Sequence, residues 1–92
     1  MIESFRCKDT EKLWKAGSSR KFGSIAKVAI RKLLMLNNAA DLRDLFAPPG
    51  NQLEGLKGKR AGQHSIRIND QYRICFNFKE GKAYHVEITD YH

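Results

Sequence analysis

The spacing of hydrophobic residues divides the chain into two halves. Between Arg20 and Leu36 apolar side chains recur every three to four residues, the period of an α-helix that buries one face. From Leu53 onward the period falls to two, which is typical of strands with one buried face. Pro48-Pro49-Gly50 lies between the halves and is expected to stop regular structure. The pattern therefore predicts helices followed by an antiparallel sheet.

Two or three helices are expected in the first half. Ile2 to Cys7 fits a first strand, although so short a segment does not exclude helix. Asp9-Thr10 is a candidate N-cap for a short helix that ends near Gly17. The long helix follows, and a brief helix over Ala39 to Phe46 comes after it. The apolar stripe of the long helix is Phe22, Ala26, Ala29, Leu33 and Leu36, and its basic face is Arg20, Lys27 and Arg31.

The second half is expected to form a meander. Leu53 to Leu56 is a weak strand, and three stronger ones contain Ile66/Ile68, Ile74/Phe76/Phe78 and Tyr84/Val86/Ile88. Asn69-Asp70 and Glu80-Gly81 lie at the tight turns between them. The expected fold class is α+β, with two or three N-terminal helices packed on one face of an antiparallel sheet of four to five strands.

Alternation assigns the strand side chains to two faces of this sheet. Facing the helices are Ile66, Ile68, Tyr72, Ile74, Phe76, Phe78, Val86 and Ile88. The helix-free face holds Ser65, Arg67, Gln71, Arg73, Cys75, Asn77, His85 and Glu87. Two arginines and a histidine there suit a polyanion such as RNA. The ordinary solvated face of a one-sided sheet explains the same pattern, so both interpretations stay open.

Composition narrows the class of partner. The 92 residues, 41% of them hydrophobic, fit one folded domain spanning residues 1–92. Seventeen Lys+Arg against ten Asp+Glu give +7, which favours nucleic acid, a membrane surface or an acidic protein. No apolar stretch is long enough to span a bilayer, so a soluble intracellular protein is expected. Cys7 and Cys75 have no zinc-site spacing and are expected to be reduced and structural.

Several segments together resemble a known family. They are Leu56-Lys57-Gly58, the hairpin from Ser65 to Ile74, the aromatic strand after it and the terminal Asp90-Tyr91-His92. The chain resembles the HigB branch of the RelE/ParE superfamily of bacterial toxins. The resemblance implies a fold similar to microbial ribonucleases and a cytoplasmic, ribosome-dependent endoribonuclease that cuts translated mRNA. It also implies a HigA-like helix-turn-helix antitoxin as partner, with no membrane, metal or cofactor.

The resemblance also implies a catalytic set for metal-free RNA cleavage. Arg73 would clamp the phosphate, because a guanidinium binds phosphate oxygens bidentately. Lys57 would add charge or act as a base; without the resemblance it is a surface lysine. Tyr91 would stack on a base, and His92, with an ordinary pKa of about 6.5, would move a proton or orient a group. Some HigB-like toxins have a histidine where this chain has Glu54.

Further residues are candidates for RNA binding. Gln71 and Asn77 could hydrogen-bond nucleotides, whereas His85 could join the site or be satisfied by Glu87. Arg67 is a second phosphate contact, unless it is a solvated charge. Lys59 and Arg60, in the loop with Lys57, and the basic face of the long helix suit contacts with ribosomal RNA. The competing functions are a ParE-like gyrase inhibitor without nuclease activity and a plain RNA-binding module.

Overall fold

A computed structural model describes residues 1–90, which form two α-helices and a four-stranded sheet. The strands lie in the order β1-β2-β3-β4, and every neighbouring pair is antiparallel. This confirms the predicted α+β class and the meander. The elements are α1 (Lys8–Ala16), α2 (Ala26–Asn38), β1 (Glu54–Gly55), β2 (His64–Arg67), β3 (Tyr72–Lys79) and β4 (Lys82–Asp90).

The core lies between the helices and one face of the sheet. Its members come from the predicted stripe of α2 and from alternate positions of the strands, because both periods bring apolar side chains to one side. The largest fully buried side chains include Leu33, Leu36, Ile66, Ile74 and Phe76. The predicted core face of the sheet is thereby confirmed, whereas Ser65, Arg73 and Cys75 of the opposite face are also buried. Within residues 1–90, neither α-helix is long and apolar enough to cross a membrane.

Helix α1 begins earlier than predicted. Its N-cap is Cys7, so the expected cap at Asp9-Thr10 is wrong. Thr10 is fully buried, and its hydroxyl oxygen accepts a hydrogen bond from the Ile88 amide at 3.0 Å, which ties the helix to β4. The helix ends as expected at Gly17, which adopts the left-handed conformation (φ 77°) that suits a C-cap.

The long helix is shorter than the sequence indicates. It begins at Ala26 and not at Arg20, because a 3-10 turn over Gly23–Ile25 precedes it. Phe22 lies before this turn and packs edge-on against Tyr72, with the ring centroids 6.5 Å apart. The buried Phe22 thus contacts the sheet from outside the helix.

The connection between the halves also departs from the prediction. The expected helix over Ala39 to Phe46 is a 3-10 turn, Leu42–Leu45, closed by a capping box of Asp41 and Asp44. A second 3-10 turn covers Pro49–Asn51, where the sequence predicted an end to regular structure.

The N-terminal segment borders the outer edge of β4. The predicted strand from Ile2 to Cys7 is two isolated parallel bridges, one joining Ile2 to Ala83 and the other Phe5 to Val86. Backbone hydrogen bonds of 2.7 Å from the Glu3 amide to the Ala83 carbonyl and 3.0 Å from the Arg6 amide to the Val86 carbonyl accompany them. These bonds occupy part of an edge that would otherwise be open to pairing.

Both predicted hairpin turns are confirmed. The side-chain oxygen of Asn69 accepts hydrogen bonds from the backbone amides of Gln71 and Tyr72, at 2.9 and 2.8 Å. Such local bonds stabilise a turn. Glu80 and Gly81 have φ values of 52° and 77°, and the tightest hairpin turns need two such residues.

Candidate functional site

Arg73 is a buried cation on the sheet face opposite the helices. It lies on β3 directly across from Arg67 on β2, and it is only 8% exposed. Its Nε donates to the Ser65 hydroxyl at 2.7 Å, and one terminal nitrogen donates to the Gln52 carbonyl at 2.5 Å. Arg73 is therefore not the solvated surface charge that the alternation also allowed.

Glu54 adds a carboxylate to this arginine. Its Oε1 lies 3.5 Å from Nε of Arg73, and its side chain is half exposed. The sequence singled out Glu54 only as a departure from a histidine. Its position on β1, which pairs Glu54 with Ser65 of β2, places it beside Arg73. A half-exposed carboxylate beside a buried guanidinium is suited to proton transfer on a bound phosphodiester.

The segment that covers Arg73 is anchored to α2. The Lys32 ammonium, on a residue only 5% exposed, donates to the side-chain oxygen of Asn51, which is fully buried. The Asn51 amide nitrogen donates to the Leu45 and Ala47 carbonyls at 3.2 and 3.3 Å. Gln52 follows in the left-handed conformation, with φ 43°. The pair thus fixes the residue just before the carbonyl that Arg73 contacts.

Lys32 is a buried ionisable group that the sequence analysis missed. Burial lowers the pKa of Lys32, and the positive charges of Arg31 and Arg67 lower it further. The sequence contains a pattern that indicates this burial, because Lys32 follows Ala29 by three residues and precedes Leu36 by four. That spacing belongs to the buried stripe of a helix.

A second polar cluster lies toward the other end of β3. Arg60 contacts Glu87 at 2.8 Å and donates to the Gln63 side-chain oxygen at 3.1 Å. Gln63 donates to the side-chain oxygen of Asn77 at 3.2 Å, and Nδ1 of His85 lies 3.0 Å from that same oxygen. His85 is therefore held by Asn77, whereas the sequence offered Glu87 as its partner.

The remaining predicted residues are spread around these two clusters. Arg67 is ion-paired with Asp70, and Gln71 donates to the Asp90 carboxylate at 2.9 Å. Lys57 and Lys59 are exposed in the loop after β1. Tyr91 and His92 lie outside the described residues. Arg20, Lys27 and Arg31 are exposed as predicted, and Cys7 and Cys75 are free thiols.

Comparison with known proteins identifies the family. The family model for the RelE-like toxin of the type II toxin-antitoxin system HigB matches residues 3–92. The chain belongs to this family. Its membership agrees with the resemblance carried by the hairpin and by the C-terminal residues.

Curated HigB relatives are similar over part or all of the chain. Toxin HigB-1 of Vibrio cholerae is 45% identical over 60 residues, which cover 65% of this chain and 63% of that protein. The matched stretch is thus less than two thirds of the length of that relative. Endoribonuclease HigB of Proteus vulgaris is 33% identical over 95 residues and is covered over its full length.

Two solved structures share the fold of this HigB-like chain. YafQ from E. coli superposes with a TM-score of 0.61 at 15% identity, covering 99% of this chain and 92% of YafQ. In the YoeB-YefM complex from Staphylococcus aureus, the similar chain gives a TM-score of 0.62 at 15% identity. That match covers 100% of this chain and 98% of the other. At such identities the likeness establishes the fold alone.

Proposed function

We propose that this HigB-like toxin is a ribosome-dependent endoribonuclease that cuts translated mRNA in the decoding site and so inhibits translation. The observation that carries the proposal is the cluster of Arg73, Arg67 and Glu54 at one end of the β2-β3 hairpin. The Proteus vulgaris relative that aligns over its whole length with this chain is named an endoribonuclease, which supports the same activity.

The chemistry assigned to this cluster is cleavage by the 2′-hydroxyl of the RNA itself. The Glu54 carboxylate takes the proton of the 2′-hydroxyl, and the resulting oxygen attacks the adjacent phosphorus. Arg73 binds the phosphate oxygens, where negative charge builds up in the transition state. Ser65 and the Gln52 carbonyl hold its guanidinium in place before substrate arrives. Binding of a phosphate displaces Glu54 from Arg73.

The leaving 5′-oxygen needs a proton from an acid. His92 is the proposed donor, Tyr91 is proposed to stack on a neighbouring base, and Lys57 is proposed to add positive charge. These roles come from the resemblance to HigB-like toxins and keep the reaction independent of metal ions.

The proposed partners follow from the family and from charge. A HigA-like antitoxin would hold the toxin inactive, and the similar S. aureus structure is itself a YoeB-YefM complex. The exposed Lys27, Arg31, Lys57 and Lys59 are proposed to contact ribosomal RNA, because such contacts give sequence-independent affinity. The ribosome would then supply the messenger strand in an extended form, in the cytoplasm.

The test is cleavage of a defined message in a reconstituted translation system, mapped by primer extension. Arg73→Lys keeps the positive charge but cannot bind a phosphate bidentately. Glu54→Gln keeps the side-chain size but removes the proposed base. Each is expected to lower the rate of cutting by about 100-fold or more. Arg43→Lys is the matched control, because Arg43 is exposed and pairs only locally with Asp41 among the described residues.

Three results would count against the proposal. Cutting by Arg73→Lys and Glu54→Gln at the parent rate would remove the cluster from catalysis. Equal cutting of free RNA without ribosomes would remove the ribosome dependence. Inhibition of gyrase supercoiling together with intact mRNA would favour the ParE-like alternative.

A further inference from the structure

Strand β4 contains a bulge at His85. Cys75 of β3 is opposite Glu87, whereas Asn77 is opposite Tyr84, so β4 has one residue more than β3 between these pairs. His85 lies at this irregularity and has φ 56°. This is a left-handed conformation that suits glycine and is uncommon for other residues. Unfavourable backbone conformations of this kind concentrate at functional sites.

The bulge changes which side chains reach the face opposite the helices. Directly paired residues share a face, so Tyr84 lies on the same side as Asn77. The exposed imidazole of His85 also contacts Asn77 there. The Tyr84 and His85 ring centroids are 6.5 Å apart, with the planes inclined at 46°. Without the extra residue, simple alternation would direct Tyr84 toward the core side with Val86.

Hydrogen-bond chemistry fixes the tautomer of His85. Arg60 can only donate, so the Gln63 atom that it contacts at 3.1 Å must be the amide oxygen. The Gln63 nitrogen then faces Asn77, whose oxygen accepts from it at 3.2 Å. Nδ1 of His85, 3.0 Å from this oxygen, must therefore carry the hydrogen. In the neutral ring, Nε2 is left as an acceptor.

We propose that Tyr84, His85 and Asn77 form a nucleotide subsite for single-stranded RNA, separate from the Arg73 cluster. One base stacks on the Tyr84 ring and touches the inclined His85 ring at its edge, and Nε2 of His85 accepts a hydrogen bond from that nucleotide. Asn77 lies four residues from Arg73 along β3, about 13 Å at the rise of a strand. The subsite therefore binds a nucleotide that flanks the cut phosphate. The inference rests on the proposed RNA-cleaving function.

Binding to RNA tests this subsite without requiring cleavage. The probe is a fluorescently labelled eight-nucleotide single-stranded RNA, titrated with purified protein and followed by anisotropy at low salt. His85→Gly is the informative variant, because it removes the ring while relieving the left-handed backbone. Tyr84→Leu removes the other ring. Each is expected to weaken binding about tenfold, within the range for loss of one base stack.

The control is Glu80→Gly in the adjacent turn. Glu80 has φ 52°, so this change relieves similar backbone strain and removes no ring. It is expected not to weaken RNA binding. The thermal unfolding midpoint of His85→Gly is expected to equal or exceed that of the parent, since glycine accepts a positive φ. A purely structural role for His85 instead predicts a lower midpoint with unchanged RNA affinity.

The outcomes separate this inference from the proposed nuclease. Parent-like RNA affinity in His85→Gly overturns the subsite, as does failure of the parent to bind the octamer. If His85→Gly and Tyr84→Leu bind about tenfold more weakly and the parent cuts no message during translation, the subsite stands and the nuclease proposal fails. If the parent cuts and both variants bind and cut normally, the nuclease stands and the subsite fails.

Discussion

Replacing Asn51 with leucine tests how the cover over Arg73 is held. The substitution keeps roughly the same volume but removes the acceptor of the buried Lys32 ammonium. It also removes the donor to the Leu45 and Ala47 carbonyls. A buried polar group left without a hydrogen-bond partner costs its full desolvation free energy. Removing one partner from such a network therefore lowers the free energy of unfolding strongly.

The expected loss is large for a domain of this size. A hydrogen bond to a charged group contributes about 1.5–3 kcal/mol, and each neutral one about 1 kcal/mol. The two carbonyl contacts and the ammonium contact together give about 3.5–5 kcal/mol for Asn51→Leu. That is a substantial part of the 5–15 kcal/mol, roughly, by which native domains are stable.

A double-mutant cycle distinguishes the buried pair from simple packing. Lys32→Met removes the charge, and Lys32→Met/Asn51→Leu replaces both polar groups with apolar ones. The double variant is expected to be more stable than the sum of the single losses predicts, by about 1–3 kcal/mol, because no unpaired charge remains. Urea unfolding followed by the fluorescence of Trp14, which packs partly buried against the core, measures all four free energies.

Additive losses would refute this reasoning. The effects of residues that do not interact usually add within about 0.5 kcal/mol. A coupling energy no larger than that would mean that Lys32 and Asn51 act independently. A loss below about 1 kcal/mol for Asn51→Leu would show that the covering segment has other supports.

Two other changes test the contacts of the core. Thr10→Val is expected to lower the free energy of unfolding by about 1–3 kcal/mol, because the Ile88 amide loses its buried acceptor; thermal denaturation measures this, and an unchanged midpoint would contradict it. Because burial lowers the pKa of Lys32, the unfolded chain binds that proton more tightly, and the parent should gain stability relative to Lys32→Met as the pH rises through the lowered pKa toward 10.5. Parallel pH profiles of the two proteins would contradict this assignment.

The sequence anticipated the parts of the fold that depend on repetition. Alternation along β2, β3 and the end of β4 identified the core face, because every second side chain must be buried together. The placement of Arg67 and Arg73 on one face follows from the same rule. The resemblance of the hairpin and C-terminus to HigB-like toxins identified the family that the comparison confirms.

Departures from the predictions occur where a distant partner changes the local pattern. Thr10 resembles a helix cap, but its hydroxyl is used by the Ile88 amide, 78 residues away. Phe22 fits the stripe of a helix, but it lies just before the 3-10 turn that precedes α2 and packs against Tyr72 from there. Local sequence does not contain these contacts.

The sequence by itself determined the buried apolar positions of the long helix and of the main strands, the change from helices to an antiparallel meander, and the face that holds the arginines. It did so because helices and strands have fixed periods, which appear directly in the spacing of apolar residues. Only the tertiary structure decided that Arg73 is covered, that Glu54 lies beside it and that Tyr84 turns to the face of His85. Each depends on contacts between segments distant in sequence, or on one extra residue in a strand, and neither leaves a periodic signal.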